Sequence, residues 1–127
     1  MHETDSPSPN IKLRVNNLSK VFTYSTDRQL LVLDKIELYL NANEFVCLVG
    51  ASGCGKSTLL KIIAGLEQPS AGEILLEGER ISEPGADRGM VFQNYTLFPW
   101  RSVADNIGFG LELKGLSKLD RDRKSVV

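Results

Sequence analysis

Apolar and polar residues alternate in two stretches near the start of the chain. Ile11, Leu13 and Val15 alternate with Lys12, Arg14 and Asn16, and Ile36, Leu38 and Leu40 alternate with Glu37 and Tyr39. A period of two predicts two half-buried strands. Residues 25–29 between them are polar and predict a turn region. Residues 41–44 predict a second turn, in which Asn43 suits a left-handed backbone. The pattern then changes. Phe45-Val46-Cys47-Leu48-Val49 is apolar without alternation, as in a strand buried on both faces of a parallel sheet.

A glycine-rich segment follows at once, and after it Leu59, Leu60 and Ile63 recur at helical spacing with Lys61 facing away. Gly65 predicts the helix stop, with Pro69 just beyond. Residues 74–76 predict a short strand, and Glu77-Gly78 a hairpin turn into Arg80 and Ile81. After a loop at 83–87, Gly89-Met90-Val91-Phe92 predicts another buried strand, closed by Gln93. Ser102 with Asp105, and Ser117 with Asp120, have capping-box spacing for helices from about Val103 and Lys118. Ile107, Leu111 and Leu113 would form the apolar stripe of the first, although Gly108 and Gly110 weaken it. The expected fold class is α/β.

The chemistry concentrates in Gly50-Ala51-Ser52-Gly53-Cys54-Gly55-Lys56-Ser57-Thr58, which matches G-x-x-x-x-G-K-[ST]. Such a loop must turn several N–H groups inward around a phosphate, and side chains would obstruct that approach, so glycine stands at 50, 53 and 55. The following helix presents its N-terminal N–H groups and positive dipole end to the anion. Lys56 reaches the β- and γ-phosphates, and Ser57 offers a hydroxyl to Mg²⁺. The buried run before the loop and the amphipathic helix after it supply the context that a bare pattern lacks. Cys54 lies at a helix N-terminus, where thiols tend to be reactive; it is either a modifiable thiol shielded by nucleotide or a small residue tolerated at a variable position.

Composition narrows the remaining options. The chain has 127 residues, 42% of them apolar and 24% charged, which allows one modest soluble core. A net charge of −1 with scattered basic residues argues against a nucleic-acid partner. No apolar run approaches the length of a membrane span. Residues 1–10 are polar, with two prolines and no apolar signal region, and are expected to be a disordered lead-in; His2, the only histidine, falls there. The two cysteines, Cys47 and Cys54, lack metal or disulfide spacing and fit a reducing cytoplasm.

The loop alone does not choose among ATPases, GTPases and kinases, but N-K-x-D is absent, so guanine readout has no support. With Leu18-Ser19-Lys20-Val21-Phe22 upstream and Val91-Phe92-Gln93 downstream, the chain resembles the ATP-binding subunit of ABC transporters from about Ile11 to Gly115. The resemblance implies a P-loop NTPase fold, a RecA-like core with an antiparallel β subdomain, and residues 11–127 as the N-terminal part of the nucleotide-binding domain. It implies ATP and Mg²⁺ as ligands, with residues 50–58 on the phosphates. Phe22 then matches the adenine-stacking aromatic, with Tyr24 as the alternative, and Gln93 the glutamine that reaches Mg²⁺ or the attacking water. Lys56 and Gln93 would carry the catalytic share of this chain, and Ser57 and Gln93 the metal share.

Residues 84–93 followed by Leu97-Phe98-Pro99-Trp100 look most like the importers of nitrate, sulfonate, taurine or bicarbonate. That implies coupling of ATP hydrolysis to uptake of a small anion, and a peripheral place on the cytoplasmic face of the inner membrane. The implied partners are transmembrane permease subunits, met by Phe98-Pro99-Trp100, and a second nucleotide-binding subunit. The family's machinery also needs an L-S-G-G-Q loop and an apolar strand ending in Asp-Glu, and neither occurs in these residues. The expectation is a domain incomplete at its C-terminal end. By itself, the chain is expected to be a non-catalytic nucleotide-binding fragment or an inactive product.

Overall fold

The computed structural model describes residues 10–125; the expected lead-in up to residue 9, with His2, lies outside them. The chain divides into two compact units between Met90 and Val91. The first unit is built on a four-stranded antiparallel sheet in the order β2-β1-β3-β4, with β1 Ile11–Ser25, β2 Arg28–Asn41, β3 Ala71–Leu76 and β4 Glu79–Arg80. The expected turn between the first strands is a tight one, closed by the pairing of Ser25 with Arg28. Asn43 is left-handed, as its residue type suggested.

Alternation sets the buried face of β1. Leu13 and Val15 point into the core; an irregularity between Val15 and Leu18, with Asn17 at φ 46°, then shifts the phase so that Leu18 and Lys20 continue inward. Leu33, Ile74, Leu59 and Ile62 complete the core. The last two come from α1, Lys56–Ile63, whose buried residues are Leu59 and Ile62. Leu60, expected on the inner face, is exposed, because spacing alone does not fix how a short helix rotates over its sheet.

Helix α1 ends as predicted. Gly65 N–H bonds to the Ile62 carbonyl at 3.0 Å and Leu66 N–H to the Lys61 carbonyl at 2.9 Å, a Schellman cap with Gly65 at φ 79°. Gly65 is doubly constrained, since a Cβ there would fall on the carbonyl group of Glu83. This close approach seats the 83–88 loop, which the Arg88 side chain fastens further by donating to the Glu83 carbonyl.

Two expected strands do not form. Residues 45–49 and 89–92 carry no ladder hydrogen bonds, and Phe45, Val49 and Val91 are 93%, 91% and 98% exposed. An apolar run becomes a buried strand only where neighbouring strands pair with it, and none of the described strands pairs with either run.

In the second unit, α2 Val103–Leu113 and α3 Lys118–Ser125 start at the two predicted boxes. Ser102 Oγ accepts from Asp105 N–H at 3.1 Å, and Ser117 Oγ from Asp120 N–H at 3.2 Å. Helix α2 runs through Gly108 and Gly110, and Gly108 is its buried residue. The expected stripe is only partly covered: Leu111 is half-buried, but Ile107 and Leu113 are exposed. The helices are tied by Glu112, which accepts from Arg101 at 2.7 Å and Arg121 at 2.9 Å. Among the described residues, no helix is long and apolar enough to cross a membrane.

Two measurements test this architecture. Gly65→Ala should destabilise the protein by about 3 kcal/mol or more, because a left-handed alanine costs about 1–2 kcal/mol and the Glu83 backbone must also move. Gly78→Ala, left-handed but facing open space, should cost only that first share; urea titrations of both variants give the comparison, and equal losses would contradict the close approach. The second concerns acid. The hydrogen bond from Arg101, then the Arg101 and Arg121 charges, hold the Glu112 carboxyl below its ordinary 4.5. The unfolded chain therefore binds the proton more readily, so the contribution of Glu112 is full above pH 4.5 and fades as pH falls below it. Helical circular dichroism should decline over that acid window, and Glu112→Gln should flatten the part of the decline due to this group.

Candidate functional site

The glycine-rich loop is anchored at its C-terminal end by its contact with β2. Gly55, at φ 101°, precedes α1 and packs so closely that a Cβ would meet Leu33 Cδ2 at 2.8 Å and the Val32 carbonyl oxygen at 3.0 Å. Both the left-handed conformation and the contact demand glycine. Gly50 is closed off from within the loop, since a Cβ there would lie 2.6 Å from Cys54 Sγ.

Helix α1 has no side-chain cap and no acidic residue in its first turn. Its first intrahelical bond runs from Leu59 N–H to the Gly55 carbonyl at 2.9 Å, so the N–H groups of residues 56–58 have no acceptor within the helix. Those donors and the helix dipole give the turn a positive character suited to an anion. Lys56 folds back over the loop. Its ammonium donates to the carbonyls of Gly50 and of Ala51, the latter at 2.8 Å, and lies 3.5 Å from Cys54 Sγ. An arriving phosphate could exchange these neutral acceptors for charge-assisted ones, which are shorter and stronger. Ser57 is exposed at the head of the helix, as is Cys54 in the loop.

Phe22 comes to the same unit through strand register. Lys20 pairs with Leu33, the residue against which Gly55 packs, and Phe22 pairs with Leu30. Phe22 therefore lies two residues, about 7 Å, further along the strand. Its ring is half-buried, and the Lys20 ammonium sits 4.9 Å from its centroid. Tyr24 is two residues further on and 71% exposed. The sequence named Lys20 only as part of a motif. Its inward parity with Leu18 was the signal that it faces the interior.

In the second unit, Gln93 is exposed and does not close a strand, because the run before it is unpaired. Beyond it, Phe98 meets Trp100 at a tilt, with ring centres 5.3 Å apart, and Phe109 edge-on at 4.8 Å, with the Arg101 guanidinium over both Phe rings. Asn106, which sequence reasoning did not single out, holds this turn. It accepts from Phe98 N–H at 2.8 Å and donates to the carbonyls of Phe98, Arg101 and Ser102. Leu97, Pro99, Val103 and Ile107 border an apolar groove beside the cluster.

The chain is similar to known proteins. The family described as ABC transporter matches residues 33–126. An uncharacterised ABC transporter ATP-binding protein of Methanocaldococcus jannaschii is 54% identical over 111 residues, covering 87% of this chain and 41% of that protein. The nitrate import ATP-binding protein of Synechocystis is 50% identical over 109 residues, covering 86% of this chain and 41% of its own length. A solved dimeric ATP-binding cassette, in a post-hydrolysis state with ADP and Pi, superposes with a TM-score of 0.78 at 26% identity, over 89% of this chain and 53% of the cassette. The chain thus spans about two-fifths of the length of these curated relatives.

The loop geometry generates a thiol experiment. Cys47 and Cys54 are both exposed, but only Cys54 lies within the candidate phosphate loop. MgATP should slow iodoacetamide alkylation of Cys54 several-fold and leave Cys47 unaffected, as read by peptide mass spectrometry. Equal rates at Cys54 with and without MgATP would count against a nucleotide at this loop.

Proposed function

The chain belongs to the ABC transporter family, and we propose that it forms the MgATP-binding front portion of a transport ATPase subunit. One observation carries this reading: the N–H groups of residues 56–58 stand without intrahelical acceptors beside the Lys56 ammonium, in a turn that no side chain caps. In this reading Gly50, Ala51, Ser52, Gly53, Cys54, Gly55 and Thr58 wrap the phosphates chiefly through their backbone. Lys56 neutralises the β- and γ-phosphates, and the Ser57 hydroxyl holds Mg²⁺. Phe22 offers its ring to the base; a flat ring stacks on any base, so it adds affinity with little selectivity. Gln93 serves the metal or the attacking water. Mg²⁺ supplies charge neutralisation at the phosphate oxygens when bound.

The full subunit would work as a dimer on the cytoplasmic face of the inner membrane and drive import of a small anion, such as nitrate, sulfonate or bicarbonate. The nitrate import relative, with half its aligned residues identical, supports that solute class. The cluster around Phe98 and Trp100 is the proposed contact with a permease. A second reading applies to the chain by itself: its 127 residues include no L-S-G-G-Q loop and no apolar strand ending in Asp-Glu, which favours nucleotide binding without turnover.

Titration calorimetry tests both. Lys56→Ala should weaken MgATP binding about 10- to 100-fold, the equivalent of a charged hydrogen bond worth about 1.5–3 kcal/mol. Unchanged affinity would remove the role given to Lys56. ATP hydrolysis by the chain alone should stay at background, and a turnover abolished by Lys56→Ala would refute the second reading.

A further inference from the structure

Lys20 stands out among the described residues because it is charged yet only 9% exposed. Its ammonium donates to Glu67 Oε1 at 2.6 Å and to the Gln68 carbonyl at 2.7 Å. These acceptors are themselves held in place. Ser70 N–H bonds to the Ser19 carbonyl at 2.8 Å, and Ser70 Oγ accepts from Val21 N–H at 3.0 Å, so the segment carrying Glu67 and Gln68 is stitched to β1 on both sides of Lys20. The same ammonium lies 4.9 Å from the centre of the Phe22 ring, well within range of a cation–π attraction. Desolvating an ammonium is costly, and the carboxylate and carbonyl offset that cost only because they are placed to meet it.

The arrangement acts on the ring. With the Lys20 ammonium held against it, the Phe22 ring has one face engaged and its rotation restrained. A base stacking on the ring would then freeze less side-chain motion than it would on a free phenylalanine. The cation also draws ring electron density toward itself, which lessens repulsion between the outward π-cloud and that of a stacked base. We propose that Lys20 is a positioning residue for the nucleotide's base, holding Phe22 as a one-sided platform through the Glu67–Lys20–Phe22 stack. The inference rests on Phe22 being the base platform.

The test compares two ligands that share phosphates and differ in the nucleoside. Affinities for MgATP and for magnesium tripolyphosphate are measured on the chain, Phe22→Ala, Lys20→Met and Lys20→Arg. Lys20→Met should weaken MgATP about 3- to 10-fold and leave tripolyphosphate unchanged, while Lys20→Arg, whose guanidinium also sits well on aromatic faces, should restore MgATP binding. Because the Met variant strands the Glu67 carboxylate, Lys20→Met/Glu67→Gln repeats the comparison with that charge removed. Equal losses for both ligands in the Lys20 variants would make the residue merely structural and overturn the proposal, as would an arginine variant no better than the methionine one. If Phe22→Ala lowers MgATP selectively and Lys20→Met does not, the proposal alone fails. If Phe22→Ala shows no selective loss, the platform reading fails first.

Discussion

The contact between Gly55 and β2 is the constraint on which the rest of the first unit depends. It fixes the start of α1 against Val32 and Leu33, and so decides where the free N–H groups of the first helical turn stand relative to the sheet. Through strand register it also sets the separation between the phosphate loop and Phe22, because Leu33 touches Gly55 on one side and pairs with Lys20 on the other. Backbone and side chain thus meet at one residue with no Cβ. Any larger side chain would have to displace either a core leucine or a strand carbonyl, and it would do so in a left-handed conformation.

What was legible in the sequence was local. The two capping boxes, the Gly65 stop and the turn at Asn43 each depend on residues a few positions apart, and each formed where expected. What was not legible depends on neighbours brought from elsewhere. The face of α1 that is buried is set by the sheet beneath it, which chose Ile62 over Leu60. The stripe of α2 failed because the described contacts of that helix run through Gly108, Phe109 and Glu112 instead of Ile107 and Leu113. Lys20 was hidden for a different reason: alternation after an irregularity in β1 changes phase, and a lysine is not where one looks for a buried residue.

The two apolar runs carry the largest energetic consequence. Burying an exposed Phe, Val or Leu side chain yields roughly 1.5–3 kcal/mol, and residues 45–49 together with Val91 and Phe92 offer several of them. One run leads directly into Gly50. The phosphate loop is thus anchored firmly on its α1 side, by Gly55, and enters from a segment without ladder hydrogen bonds on the other.

That asymmetry would link a phosphate held at the loop to any strand that pairs with the run. A strand laid beside residues 45–49 would supply the missing ladder and fix the approach to Gly50, and a phosphate held by residues 50–58 would fix the same backbone from its other end. Two events that order one segment favour each other by the same factor, whichever comes first.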